Sequence, residues 1–385
     1  MILIAVAAAA FGLLVLAWLV YPALMWWRAR GARPGSAPDV EPREKVAVIV
    51  ATRDDPAFAV ERVSNLRSSD YPAALVRILV AVDVTSAHPL DAYEAALAGM
   101  ATVVSGDPPG GKAATLNAGV RAAGAPDVLV FADVGQQFGR DAIGQLVTSL
   151  RNGTFGAVTG RYTHGRSDGL MSAYADLEAT IRAGQAAGRS VVSASGSILA
   201  MRPMFWRDLP AGLICDDLFT GLSVVRQGSR VGFCPEAIAW DPRVFTRDQQ
   251  FARRVRTLTG LIQYCVVQPG ALLPGRNPVW LHFFTHKVLR LLTPIILAVG
   301  FIALAAWLIA RAPVASLITV GILALTALEF RFLAPDRFRR VREQVLWGLR
   351  LLLVPVVAIA NGLRGRWSVW TPTSQSRADL HSTGA

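Results

Sequence analysis

The sequence predicts an α/β domain held between membrane helices: a mostly parallel sheet covered by helices, with one apolar helix before it and two to three after it. Three observations carry this. From Pro42 to about Val244, short β-branched apolar runs alternate with helical segments, the pattern of a sheet buried on both faces. Outside that stretch, uncharged runs reach about the 20 residues that a bilayer-crossing helix needs. Over all 385 residues, 53% are hydrophobic, only 17% are charged and mean hydropathy is +0.40. An average soluble chain carries roughly 25% charged residues, which argues against both disorder and an ordinary cytosolic protein.

The elements follow in chain order. Residues 1–27 contain no charged side chain, and Arg28, Arg30 and Arg33 come after the run, not before it. A signal peptide has the opposite arrangement, so the segment reads as an uncleaved anchor with the following chain in the cytosol. Val46–Ala51 is a buried-strand run, and Asp54-Asp55-Pro56 starts a helix with a capping acid and a first-turn proline. Val76–Val82 is a second strand, ending at Asp83. Thr102–Val104 is a third, followed by Gly-Asp-Pro-Pro-Gly-Gly and a helix from Lys112. Val128–Ala132 is a fourth, ending at Asp133. Ser197–Met201 and Arg230–Phe233 are further strands, separated by Cys215-Asp216-Asp217 and an amphipathic helix that Gly228 closes.

The domain therefore spans 45–245. Residues 246–286, with Pro269, Pro274 and Pro278, read as broken amphipathic helices at the membrane surface. Membrane segments fill 287–363. Leu291–Ala310 and Ala312–Leu328 are spans, and the arginines from Arg331 to Arg342 return the chain to the cytosol. Val345–Leu363 is interrupted by Arg350 and Pro355, so a re-entrant or interfacial segment is expected there instead of a third C-terminal span. A polar tail covers 371–385. The net charge of +12 sits largely beside the apolar runs, which favours an anionic membrane face over nucleic acid as its partner. Cys215, Cys234 and Cys265 form no paired set and read as free, buried thiols.

In parallel α/β sheets, ligands bind beyond the carboxyl ends of the strands. Asp83, Lys112 and Asp133 should meet there, joined by Asp216 and Asp217 and by the cluster Gln249, Gln250, Arg253, Arg254 and Arg256. A lysine at a glycine-rich helix start suits a phosphate, carboxylates beside a phosphate call for a divalent cation, and a further carboxylate can act as a base. The set suits displacement of a nucleoside diphosphate by an activated hydroxyl. Gly106 to Ala113 also nearly spells a Walker A loop, but Ala113 stands where that loop needs its hydroxyl. His282 and His286 have helical spacing without the glutamate of H-E-x-x-H, so packing or headgroup contact is their expected role.

The order of these motifs resembles the membrane-bound family 2 glycosyltransferases of GT-A fold, such as cellulose-, hyaluronan- and poly-N-acetylglucosamine-synthase-like enzymes. Val46–Asp55 resembles their opening strand and nucleotide-contacting loop. Gly110-Gly-Lys-Ala-Ala-Thr-Leu-Asn117 is similar to G-G-K-x-x-x-L-N, Val130–Asp133 to the strand entering D-x-D, Asp216-Asp217 to E-D, and Gln250–Arg254 to Q-x-x-R-W. The resemblance implies an inverting transfer from a nucleotide-diphosphate sugar to a glycan or polyprenyl-linked acceptor, in polysaccharide biosynthesis at the cell envelope. It places a multi-pass protein in the inner membrane, among lipids, with its catalytic domain cytosolic. Asp217 would be the catalytic base. Thr52, Asp55, Asp83, Lys112, Asp133, Gln250, Arg253 and Arg254 would bind the donor, and Asp133 would hold Mg2+ or Mn2+. Three positions depart from the pattern: Val84 replaces a glycine, Gly135 the second acid of D-x-D, and Arg254 the tryptophan. With Gly135, a metal site would need Gln136, Gln137 or water to complete it. The competing readings are a membrane-anchored P-loop NTPase and a silent GT-A scaffold of an export complex. A glycoside hydrolase could use the paired carboxylates but leaves Lys112 and the arginines unexplained.

Overall fold

Parallel pairing starts at the β-branched runs. β1 (Val46–Thr52) lies between β2 (Val76–Val82) and β4 (Val128–Ala132), and β3 (Thr102–Ser105) adds to β2, all parallel. All seven β1 residues but Ala51 are buried, as a strand covered on both faces requires. The remaining strands are β5 (Gln137–Phe138), β6 (Phe155–His164), β7 (Ile198–Met201) and β8 (Arg230–Asp241). They complete an eight-stranded sheet of order β3-β2-β1-β4-β7-β6-β8-β5. β7 runs antiparallel to both β4 and β6, while β6 and β8 are parallel. The sheet is thus mixed, and β8 ends on the same edge as β1, β2 and β4. This computed structural model describes residues 1–31, 41–152, 155–164, 169–333 and 335–368; the polar tail from 371 lies outside them.

Helices cover the faces. α1 is the long apolar helix Ile2–Gly31. Within the domain come α2 (Pro56–Arg67), α3 (Leu90–Ala96), α4 (Lys112–Ala122), α5 (Ala142–Asn152), α6 (Gly169–Gly188) and α7 (Asp216–Arg226). α2 begins where the sequence predicts, with Asp55 accepting the Ala57 N–H ahead of Pro56. Then follow α8 (Arg247–Val267), the helical run α9 over 280–291, α10 (Thr293–Arg311), α11 (Pro313–Leu333) and α12 (Pro335–Leu363). A Thr246–Gln249 capping box opens α8.

Three described helices are long and apolar enough to cross a membrane: α1, α10 and the 336–363 part of α12. Where the sequence suggests a re-entrant or interfacial segment, α12 is a helix that continues through Pro355 and is long and apolar enough to cross. It runs alongside α8: Arg350 pairs with Asp248 at 2.6 Å, Asn361 donates to Thr259 at 3.4 Å, and Arg247 lies over the Trp347 ring. Both polar contacts keep the same residue offset over three turns, which means the two helices run parallel.

α1 also contacts the α/β domain: its C-terminal part packs on α6 through Tyr21, Met25 and Ile181. A Cβ on Gly184 would overlap the Met25 backbone, so only glycine permits this crossing. The anchor and the α/β domain are therefore one packed unit.

Candidate active site

The C-terminal edge of β1, β2, β4 and β8 carries the chemistry. At its centre the Lys112 ammonium, on the first turn of α4, lies 2.8 Å from Asp133 Oδ1 and 3.1 Å from Asp216 Oδ2. Burial works against this ammonium, but the two carboxylates outweigh it and push its pKa up. Asp133 is likewise held below the usual carboxylate range by Lys112 despite its burial. Its second oxygen accepts from Ser197 Oγ at 3.2 Å. The side chains of Lys112 and Asp133 are still 32% and 30% exposed, so solvent screens the pair and it adds little stability.

Asp217 follows Asp216 in the first turn of α7. A Cβ on Gly196 would lie 3.4 Å from Asp217 Cβ and 3.7 Å from Lys112 Nζ, so the loop before β7 places acid and ammonium in one pocket. Desolvation first, and the Asp216 charge second, raise the Asp217 carboxyl. Its Oδ1 accepts the Leu218 N–H at 2.8 Å, and its Oδ2 makes no hydrogen bond among the described residues.

The other expected donor residues are placed less uniformly. Asp83 clasps the glycine-rich loop: its Oδ2 accepts the Gly111 N–H at 2.8 Å, and its Oδ1 accepts from Thr85 N and Oγ1. It fixes the turn that delivers Lys112. Thr52 Oγ1 accepts the Asp54 N–H, and Asp55 caps α2, so both shape the loop after β1. Gln250 donates to the Phe245 carbonyl at 3.1 Å. Arg253 lies 3.8 Å from Asp241 and over the Phe245 ring. Arg254 turns instead to the ring of Tyr174 on α6, and it is Arg256 that comes within electrostatic reach of Asp133.

The sequence pattern ends β8 at Phe233, yet the strand continues to Asp241 past Pro235, where the ladder with β6 shifts register. A proline at a bulge is compatible with a strand, but it hides the continuation. Asp241 is fully buried and paired twice with Arg243, at 2.8 Å to each oxygen. The signal that marks Asp83 and Asp133, an acid at a strand end, also marks Asp241.

This arrangement can hold an anion against Lys112 and the arginines beside a basic carboxylate. The sequence profile described as glycosyltransferase like family 2 matches residues 42–260, more than half of the chain. The chain belongs to that family. As a glycosyltransferase of GT-A-like fold it is similar to a mannosyltransferase, PcManGT from Pyrobaculum calidifontis, solved with GDP-Man and Mn2+. That similarity has a TM-score of 0.69 and 23% identity, over 95% of this chain and 99% of that one. GalNAc-T7, solved with UDP, GalNAc and Mn2+, aligns over 59% of this chain and 48% of its own at a TM-score of 0.42 and 12% identity, too slight to argue from. No curated protein matches the sequence.

For the glycosyltransferase, two alternatives can be weighed on geometry. In a P-loop, the Gly111 N–H would face a phosphate; here it faces the Asp83 carboxylate. A divalent ion at Asp133 fits poorly. Both Asp133 oxygens are engaged, by Lys112 and Ser197, and the acid that would stand at 135 is absent. Gln137 donates to Glu61. Gln136 donates to Asp241 and keeps its buried Oε1 without a partner among the described residues, one neutral oxygen where Mg2+ or Mn2+ favours carboxylates.

Proposed function

We propose that this glycosyltransferase transfers a sugar, with inversion, from a nucleotide-diphosphate donor to a membrane-associated acceptor at the cytosolic face of the inner membrane. The acceptor is a growing polysaccharide or a lipid-linked glycan, as in the cellulose-synthase-like enzymes that the motifs resemble. One observation carries the reading: Lys112, bridged between Asp133 and Asp216, shares a pocket with a carboxyl whose basicity is raised, Asp217. The membrane side is supported by α1, which docks on the domain and ends in Arg28 and Arg30, in keeping with positive charge on the cytosolic side.

The donor's diphosphate lies against Lys112, Arg253 and Arg243. The acceptor hydroxyl gives its proton to Asp217 Oδ2 as its oxygen bonds to the anomeric carbon. The bond from that carbon to the diphosphate oxygen breaks, and its electron pair leaves with the nucleoside diphosphate. Attack opposite the leaving group inverts the centre. A positioned general base contributes about 10²–10⁴-fold, and each well-placed donor at the departing anion about 3–4 kcal/mol.

Asp217→Asn keeps shape and hydrogen bonding but cannot take a proton. It is expected to bind nucleoside diphosphate as the parent does while losing at least about 10²-fold in turnover. The check is calorimetry together with nucleoside diphosphate release over a panel of nucleotide sugars, and near-normal turnover would refute the assignment.

A further inference from the structure

The space that a second D-x-D acid would occupy is taken by a guanidinium. A Cβ built on Gly135 would overlap Arg243, whose Nε and NH2 are held by Asp241 at 2.8 Å each. The Arg243 backbone N–H also bonds to Asp241, at 3.1 Å, so the arginine is fixed from two directions. Its NH1 makes no hydrogen bond among the described residues and lies beside Gly135, one residue past Val134 from Asp133. Arg253 approaches the same Asp241 from α8, and the Arg256 charge favours the Asp133 carboxylate. On the other side of Asp133 stands the Lys112 ammonium.

From this we infer that the donor diphosphate is neutralised by the protein's own cations, Arg243 with Lys112 and Arg253, and that transfer needs no divalent metal. The inference rests on the nucleotide-sugar reading above. A dication entering here would find both Asp133 oxygens engaged, by Lys112 and Ser197, and a guanidinium where its second carboxylate should be, so it would have to displace the ammonium to gain a single acidic ligand. The same guanidinium offers an anion what a metal would: fixed positive charge, with N–H donors in a planar fork suited to phosphate oxygens. Gly135 is then explained, because any side chain there would displace Arg243. The arrangement also gives Asp241, buried at a strand end without a proton-transfer role, a function as the anchor of that cation.

The test uses the full-length protein in detergent, titrated calorimetrically with GDP and UDP in EDTA and again with Mn2+. Equal affinity within about twofold for whichever nucleotide binds, and equal product release from its sugar, is the expected result. Binding that weakens tenfold or more in EDTA would overturn the inference and leave sugar transfer standing. No binding of either nucleotide under either condition would take down both. Arg243→Lys, which keeps a charge for Asp241, should weaken nucleotide binding severalfold. Arg243→Ala should weaken it at least tenfold, and Mn2+ should not restore it; rescue by Mn2+ would count against the inference. Gly135→Asp combined with Arg243→Ala rebuilds two acids without the guanidinium, and should show Mn2+-dependent nucleotide binding that the parent lacks.

Discussion

Two charged clusters in this molecule look alike in composition and differ in how far they open to solvent. The first is the strand-end pocket of Lys112, Asp133, Asp216 and Asp217. The second lies where α1 meets the domain: Tyr21 contacts His282 Nδ1 at 3.0 Å and accepts from Gln185 at 2.8 Å, while Glu178 meets His286 at 3.1 Å and Arg290 at 2.8 Å. Burial pulls His286 down to about 4 against the pull of Glu178, so the imidazole is neutral at pH 7 and Arg290 is the cation that answers Glu178. Arg290 Nε and NH2 have no hydrogen-bond partner among the described residues, and the guanidinium carbon lies 4.5 Å from the centre of the Trp18 ring. In this second cluster Glu178, His286 and Arg290 are closed in a seam between three helices, with side chains 14% exposed or less. In the first, about a third of the Lys112 side chain is exposed, and Asp217 Oδ2 makes no hydrogen bond among the described residues. Access to solvent, more than charge, separates the site from the joint.

That contrast predicts a double dissociation. Lys112→Ala should cut turnover by about 10²–10³, the worth of one donor at a developing anion, while changing stability by about 1 kcal/mol or less because the pair is screened. Glu178→Gln should do the reverse. It leaves Arg290 buried without its carboxylate, so about 3 kcal/mol of stability is lost, and nucleotide affinity in the folded fraction stays near that of the parent. Thermal unfolding in detergent, paired with nucleoside diphosphate release, reads both. If Lys112→Ala unfolds the protein while Glu178→Gln mainly stops turnover, the comparison is inverted. Burial opposes the Glu178 charge, yet the His286 hydrogen bond and then the Lys287 and Arg182 charges hold the carboxyl well below the ordinary range. Its contribution is therefore present above the unfolded carboxylate pKa and is lost as pH falls through the folded one.

Much of the first cluster was legible in the sequence, and almost none of the second. Parallel strands advertise themselves through runs such as Val46–Ala51, and an acid at the end of each run is automatically on one rim. Asp83, Lys112 and Asp133 followed from that rule alone. What periodicity cannot show is which neighbour a side chain chooses: Asp216 joined Lys112 from a helix start 83 residues beyond Asp133 in sequence, and Arg254 turned to Tyr174. β6 was missed because its glycines and polar residues weaken the apolar signal, and β8 was cut short at Pro235. The joint depends on Gly184 letting two helices touch, and nothing local distinguishes such a glycine from one at a helix end. Contacts between distant segments are where local propensity carries no information.

The smallest effect is the sharpest probe of the open cluster. Burial and the Asp216 charge raise the Asp217 carboxyl, so the acid limb of the pH–rate profile should lie above the ordinary aspartate value of about 3.9. Activity should rise with pH through that limb, because the base works only when deprotonated. Asp216→Asn removes the like charge, favours the Asp217 carboxylate, and should move the limb to lower pH. The sign for stability is opposite to that of Glu178: a carboxyl whose folded pKa is raised stabilises below the unfolded value, and that share is lost as pH rises through the folded one. An acid limb that stays in place in Asp216→Asn, at any level of remaining activity, would mean that Asp217 is not the titrating base.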